Sequence, residues 1–420
     1  MATTLNPDVS GESKSTPAAA KAVSIRDFSM VIALLLIWTY FGFASPFFLS
    51  PRNLSNLAVE LSITAILSLG MLLIIVCGQI DLSIGSGAGL FGGVAAVLVF
   101  QHGWPAGAAM GASLVIAVVV WLAMGKLIVS QRIPAFIVTL AGMMIFRGLH
   151  WRVIQDATIP VTTGGHDNVY SLLTTWYLPP ALSFENSFPA VVVHGAIRAL
   201  LTAADYMLGS WALAAIVTAG VCYGTIKARK SRLAYNLSVE DNEVVFSKLF
   251  ISGQIIFLFT LICNQYQGIP LSAIILGVAA FLVWGITKHT PFGRYLYAIG
   301  GNAEAAFVSG VPVQRVIIGA FGIMGLIVAI GGFMQTAYAG ASTTTTGELL
   351  ELDAIAACVI GGASLSGGRG TVPGVLFGSL IMASLLNGMT LMAVTPEVKY
   401  IARGAVLALA VWLDTRMNRR

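Results

Sequence analysis

The fold is decided by residues 56–78, which read NLAVELSITAILSLGMLLIIVCG. Glu60 is the one charged residue in this stretch. An α-helix rises about 1.5 Å per residue, so about 20 apolar residues cross the hydrocarbon core of a bilayer. The stretch therefore predicts a membrane-spanning helix.

The rest of the chain has the same character. Of its 420 residues, 57% are hydrophobic and 10% are charged, and the mean hydropathy is +0.86. A soluble domain carries about 25% charged residues, so the bilayer must be the main solvent of this chain. The net charge of +5 is explained more simply by basic loops on one side of a membrane than by binding to nucleic acid.

Other stretches are long enough to span, namely 28–48, 84–101, 105–129, 133–154, 207–226, 246–265, 269–287, 315–338, 371–393 and 397–415. One more, 351–365, is short and ends in Gly361-Gly362, which indicates either a thin span or a re-entrant half-helix. Counting it as a span returns the C-terminal arginines to the side of the N-terminus. The sequence therefore predicts an all-α, polytopic transmembrane bundle of about 12 spans, one of them short or re-entrant.

Basic residues predict the orientation, because Lys and Arg accumulate in cytoplasmic loops. Three loops on one side hold Lys126, Arg132, Lys227, Arg229, Lys230, Arg232, Lys288, Arg294 and Arg315. Both termini are thus predicted in the cytoplasm, with residues 1–25 as a polar tail and residues 26–420 as a single transmembrane domain. The long loop 156–206 is predicted outside, with an interfacial helix around His194 and Arg198. The loop 287–314 is predicted inside.

The inward loop 287–314 carries a short helix signal. Gly300-Gly301 interrupts the chain, Asn302 is a good N-cap, and Glu304 follows in the first turn, where its charge meets the positive helix end. Gly310 then stops the helix. A helix of about two turns is marginal alone, so we expect a partner protein to dock on it; an ordinary polar loop is the alternative.

This loop resembles a known motif. Glu304-Ala305-Ala306-x-x-x-Gly310 is similar to the coupling loop of ABC importer permeases. Stretches 78–85 (GQIDLSIG), 133–140 (IPAFIVTL), 292–302 (FGRYLYAIGGN) and 352–370 (LDAIAACVIGGASLSGGRG) resemble the ribose, galactose and xylose type of these permeases. The xylose-type members are the most similar, since they share the extra pair of spans near 207–265.

The resemblance implies a permease of the bacterial inner membrane that imports xylose or a related monosaccharide by alternating access. It implies three protein partners: a separate ABC ATPase that holds the ATP and Mg²⁺, a periplasmic sugar-binding protein, and a second permease copy. No cofactor or metal is expected on this chain. The residues that would contact the ATPase are Gly301, Asn302, Glu304, Ala305, Ala306 and Gly310.

Three charged residues near or within spans are candidates for the translocation path. Asp81 is interpreted as the N-cap of a helix starting near Ser83, with a proton-relay or substrate-contact role as the alternative. Asp353 is interpreted as an acceptor at a helix start, or as part of a polar entry vestibule. Arg147 either extends to the outer surface or lines the sugar path. Glu60 and Arg403 are the remaining charges inside spans, and they are candidates to pair.

The sequence fits two other classes of protein less well. An ion-coupled secondary transporter of small polar solutes usually buries several ionisable groups at the membrane midplane, and this chain has few. A membrane enzyme is disfavoured because the sequence has no Ser/His/Asp set and no His/Cys spacing typical of a metal site. It also has no Walker A motif for ATP.

Overall fold

A computed structural model of the chain describes residues 25–162, 164–178, 209–235, 237–239 and 242–418. The predicted tail 1–25 lies almost wholly outside these residues. So do residues 179–206 of the predicted outward loop, with His194 and Arg198.

The described residues form fifteen helices and two very short sheets. The helices are α1 Ile25–Ala44, α2 Pro51–Val76, α3 Ile84–Phe100, α4 Ala106–Gln131, α5 Ala135–Ile154, α6 Leu172–Thr175, α7 Ser210–Ala234, α8 Asn242–Asn264, α9 Leu271–His289, α10 Pro291–Gly301, α11 Ala303–Val308, α12 Val313–Ala339, α13 Leu350–Ile360, α14 Val372–Leu391 and α15 Pro396–Asn418. The strands are β1 Ile159–Pro160, β2 Tyr177–Leu178, β3 Ile269–Pro270 and β4 Ala341–Ser342. The predicted all-α fold is confirmed.

Each predicted span coincides with one of these helices. Eight of the described helices are long and apolar enough to cross a membrane, and α1 and α3 add shorter apolar helices. The other two are α13, which has only 11 residues, and α15, which carries the charged residues Lys399 and Arg403. The hydropathy pattern therefore located the helices correctly, including α13, which is too short to span as a helix alone.

Two spans are broken, and their helices begin inside the bundle. Residues 77–83 precede α3 without helical structure, and residues 340–349 precede α13 as an extended and turn segment. The segment 341–347 runs along the glycine face of α3. Gly89 lies against the carbonyl of Thr346, and Gly85 lies against Gly347 and the carboxylate of Glu351. A side chain at either glycine would displace this segment, so the glycines allow the two helix starts to meet.

The bundle is an inverted repeat. Helix α12 packs on α3 and α4, as α2 packs on α13 and α14; α5 lies beside α3, as α15 lies beside α13. The central helices α2 and α12 are antiparallel, because Gly70 contacts Met324 and Ile327 while Gly331 contacts Leu67. The two halves, α2–α5 and α12–α15, therefore have opposite directions. The sequence alone indicated no internal repeat.

Each end of the bundle gathers a different set of loops. At one end, β1 pairs with β4 and β2 pairs with β3, and the buried Tyr170 donates a 2.8 Å hydrogen bond to the carbonyl of Gly92. At the other end, α10 contacts the end of α2 and the turn that follows α13. Twelve spans would place the loops that carry β1–β4 on one side of the membrane and the loop that carries α10 on the other, which agrees with this arrangement. Helices α7 and α8 pack mainly on each other and leave most of their apolar surface exposed.

Candidate functional site

Asp81 lies fully buried in the broken segment before α3. Its Oδ1 accepts hydrogen bonds from the N–H (2.8 Å) and the hydroxyl (2.6 Å) of Ser83, and its Oδ2 accepts one from the indole N–H of Trp121 (2.7 Å). The N-cap of α3 is Ser83, not Asp81, so the predicted cap is wrong by two positions. Asp81 instead closes a turn ahead of the helix and joins it to α4.

Asp353 lies in the first turn of α13 and pairs with Arg403 of α15, with 3.0 Å between Oδ1 and Nε. The predicted position at a helix start is correct. The carboxylate is almost completely buried and its partner is Arg403, so it does not line an open vestibule. The suggested pairing of Glu60 with Arg403 is also wrong. Glu60 accepts hydrogen bonds from the hydroxyl of Tyr338 (2.7 Å) and the side-chain amide of Asn387 (3.2 Å).

Arg147 of α5 forms an ion pair with Glu348, in the segment before α13, with 2.8 Å between the atoms. Its guanidinium also lies 5.8 Å from the ring centre of Trp151, where a cation–π attraction adds to the pair. The Trp151 indole donates a hydrogen bond to the carbonyl of Thr344. Arg147 therefore lines one side of a small polar cleft, while 40% of its side chain stays exposed. Asp81, Arg147 and Asp353 do not contact one another directly.

The predicted short helix of the inward loop is present as α11. The Asn302 side chain accepts a 2.9 Å hydrogen bond from the Ala305 N–H, which is the expected N-cap. Glu304 lies in the first turn, and Gly310 has a φ of +82°. The helix has six residues, or about 1.7 turns, which agrees with the two turns predicted.

One side chain of α11 points away from the direction that we expected. Ala306 is only 6% exposed and packs in the main apolar core of this chain, so it cannot be a free contact for a partner. Gly301, Asn302, Glu304, Ala305 and Gly310 are exposed. Two large apolar residues, Phe307 and Val308, are 72% and 85% exposed. The sequence motif did not single them out, although an apolar pair in a polar loop was a signal that could have done so.

Helix α10 connects α11 firmly to the bundle. The Tyr297 hydroxyl donates a 2.7 Å hydrogen bond to the carbonyl of Gly370, and burial raises the pKa of this phenol, so it stays a donor at neutral pH. Gly300 lies directly against the Val76 carbonyl at the end of α2, which accepts a 2.9 Å hydrogen bond from the Gly368 N–H. A displacement of α10 must therefore reach the ends of α2 and of the 364–370 turn.

This architecture matches a known family of transport proteins. Residues 53–411 match the family described as "Branched-chain amino acid transport system / permease component". The chain belongs to this permease family. It is 36% identical over 401 residues to the xylose transport system permease protein XylH of Escherichia coli strain K12, which covers 95% of this chain and 94% of that protein.

Two further relatives extend the comparison. The XylH protein of Haemophilus influenzae is 36% identical over 95% of this chain and 99% of its own length. The ribose import permease protein RbsC of Escherichia coli strain K12 is 29% identical over 92% of each chain. No solved structure matches.

Membership of the permease family confirms the resemblance drawn from the sequence motifs. The chain is a multi-pass membrane protein and a transport subunit, as expected, rather than an enzyme. The family match spans both halves of the inverted repeat and the α10–α11 loop between them.

Proposed function

We propose that this chain is the permease of an ATP-driven, binding-protein-dependent importer of xylose or a related monosaccharide in a bacterial inner membrane. The observation that carries the proposal is the 36% identity to a xylose transport permease over 95% of the chain. The similarity to a ribose permease is weaker, which favours xylose as the first substrate to test.

The proposed ATPase contact is the exposed surface of α11, at the cytoplasmic end of the bundle. Phe307 and Val308 are large apolar side chains exposed to water. Such side chains often mark a surface that binds another protein. Glu304 and Ala305 flank them on the same exposed surface. ATP and Mg²⁺ belong to the ATPase, and each of two permease copies would dock one ATPase subunit, which requires a symmetric dimer.

The proposed mechanism is alternating access driven through α10. Closure of the two ATPase subunits moves α11 and α10, and the contacts of Gly300 and Tyr297 transmit that movement to the ends of α2 and of the 364–370 turn. Gly78, with a φ of +76°, lies beside Gly300 at the start of the broken segment that leads to Asp81. A short displacement at α10 therefore acts next to the non-helical segment that leads to Asp81.

An ion-coupled secondary transporter is the competing function. Such a protein needs ionisable groups that are free to bind and release an ion. Asp81 already accepts three hydrogen bonds and Asp353 is already paired with Arg403, so neither of these two carboxylates is free to carry an ion. The effect of a protonophore on uptake distinguishes the two mechanisms.

The experiment is xylose uptake in a bacterial strain without its own xylose transporters, with the permease, ATPase and binding protein expressed together. An inactive ATPase variant should abolish uptake, and a protonophore should leave the initial rate unchanged while ATP is maintained. Uptake that survives the inactive ATPase and disappears with the protonophore would contradict the proposal. Omission of the binding protein is the matched control, and it should also abolish uptake.

A further inference from the structure

A small polar cleft lies where the two broken spans meet. It is bounded by the start of α3, by α5, and by the segment 344–349 with the first turn of α13. Its polar lining comprises Ser86, Arg147, His150, Thr344, Thr346, Glu348 and Glu351. No residue of this cleft is needed to hold α10 or α11, so the contacts with the ATPase do not explain it.

Glu351 is the residue that points to a ligand. The residue is 8% exposed, and its side-chain Oε2 is buried with no hydrogen-bond partner among the residues that the structure describes. A buried carboxylate oxygen without a donor is costly, at about 1–3 kcal/mol or more. Asp81 accepts hydrogen bonds from Ser83 and Trp121, and Asp353 has the opposite charge of Arg403 beside it. Glu351 lines the cleft, so a donor that enters there would satisfy it.

We infer that this cleft is the monosaccharide-binding site of the permease, in which Glu351 accepts a hydrogen bond from a sugar hydroxyl. The inference rests on the proposed function. A sugar offers several hydroxyls that each donate and accept, and the cleft offers both kinds of partner: carboxylate acceptors, the guanidinium of Arg147, and the hydroxyls of Ser86 and Thr346. The imidazole of His150, held by a 2.9 Å contact with the Ser342 hydroxyl, adds a fixed polar group.

A metal ion fits the same place less well. Calcium takes six to eight oxygen ligands, with several carboxylates among them. Among the residues that the structure describes, no group of three or more His, Cys, Asp or Glu side chains is placed to hold a metal ion. A neutral ligand with several hydroxyls matches the mixed donors and acceptors of the cleft.

The cleft is closed in this conformation. Its volume is about 30 Å³, which is room for a water molecule and not for a pentose. The ion pair of Arg147 with Glu348 joins α5 to the segment before α13 and forms part of the lining. Separation of this pair frees one guanidinium and one further carboxylate for the sugar, so the same two side chains close the cleft and, once apart, contact the ligand.

The first test is a double-mutant cycle in which the changed partners are Glu351 of the permease and single hydroxyls of the sugar. Maximum uptake rates are measured for D-xylose and its 2-, 3- and 4-deoxy analogues, with wild-type permease and Glu351→Gln, in the presence of the ATPase and the binding protein. For each sugar the ratio of the two permeases is taken, so that selection by the binding protein cancels. A hydrogen bond to a charged group makes the expected loss for xylose about 10- to 100-fold. For the one analogue that lacks the hydroxyl bound by Glu351, Glu351→Gln should not lower the maximum uptake rate further.

The outcomes separate this inference from the proposed function. Equal slowing of xylose and all three analogues by Glu351→Gln would overturn the sugar contact while leaving the importer intact. Dependence of the Glu351→Gln defect on Na⁺ or proton concentration rather than on the hydroxyl would also overturn it. Absence of uptake by the wild-type complex for every pentose and hexose would overturn the proposed function, and this inference with it.

A second test keeps Glu351 unchanged, in case Glu351→Gln does not fold. Ser86→Cys is introduced in a Cys222→Ser background, since the other cysteines are buried. A water-soluble thiol reagent should label Ser86→Cys more slowly in saturating D-xylose than in sorbitol. The matched control is Thr345→Cys, at an exposed position that does not line the cleft; its labelling should not change. Equal labelling of Ser86→Cys in both solutes would refute the site.

Discussion

The exposed apolar surface of α11 gives the sharpest test of the proposed ATPase contact. Phe307 and Val308 are 72% and 85% exposed, and they follow Ala306, which faces the bundle. Substitution of Phe307 or Val308 by Ala therefore removes little packing within this chain. The variants should fold and insert normally, and lose affinity for the ATPase.

The magnitude follows from the exposed fractions. Complete burial of a Phe or Val side chain contributes about 1.5–3 kcal/mol. Phe307 is already partly covered, so its burial against the ATPase contributes about 1–2 kcal/mol. Phe307→Ala should remove this binding free energy, which is about a 5- to 30-fold rise in the dissociation constant. Val308 is smaller and more exposed, and its loss falls in the same range of about 1–2 kcal/mol. The two side chains are neighbours, so the double variant need not equal the sum.

The assay is titration of purified ATPase against the permease in lipid nanodiscs, with the thermal midpoint of each variant recorded in parallel. Phe43→Ala is the matched control, because Phe43 is 89% exposed on α1 and lies outside the loop that carries α11. Phe307→Ala and Val308→Ala should weaken binding, and Phe43→Ala should not. If the double variant binds the ATPase within twofold of wild type, α11 is not the docking helix and the proposed coupling route fails.

Three further predictions concern buried charge and topology. Asp81→Asn should lower the free energy of unfolding by about 1–3 kcal/mol, because an amide N–H₂ would face the indole N–H of Trp121. Adding Trp121→Phe should recover part of this loss in thermal melts; if the losses of the two single variants simply add in the double variant, the contact is contradicted. Arg403→Ala should cost about 3–5 kcal/mol by leaving Asp353 buried and unpaired, and Asp353→Asn should rescue folded yield in that background but not in wild type. A cysteine placed by Gly165→Cys should react with an impermeant thiol reagent from the periplasmic side, and labelling only from the cytoplasm would refute the orientation.

The spans were predictable because a run of apolar residues is stable in the bilayer whichever helices it packs against. Residues 371–393 were expected to span, and α14 covers Val372–Leu391. The same reasoning flagged 351–365 as unusual on length alone. Its helix, α13, is the half-span Leu350–Ile360, because residues 340–349 enter the bundle without helical structure and pack on glycines of α3. That contact joins distant parts of the chain, so hydropathy could not indicate it.

The site was less predictable, for a related reason. The partner of Asp353 is Arg403, 50 residues away on another helix, and the partner of Asp81 is Trp121. Local rules for helix caps correctly identified Asn302, whose acceptor and donor lie three residues apart. They could not orient Ala306, because the buried face of a six-residue helix is set by the helices on which it packs.

The inverted repeat bears on the energy landscape of the permease. Two identical halves of opposite direction could exchange their conformations, and the two resulting states would have equal free energy. Here the halves differ: Asp81 meets a neutral indole in one, and Asp353 meets a guanidinium in the other. Each such difference of about 1.4 kcal/mol changes the ratio of the two states tenfold. Under the proposed alternating-access mechanism, these unequal polar contacts would favour one of the two orientations of the permease over the other.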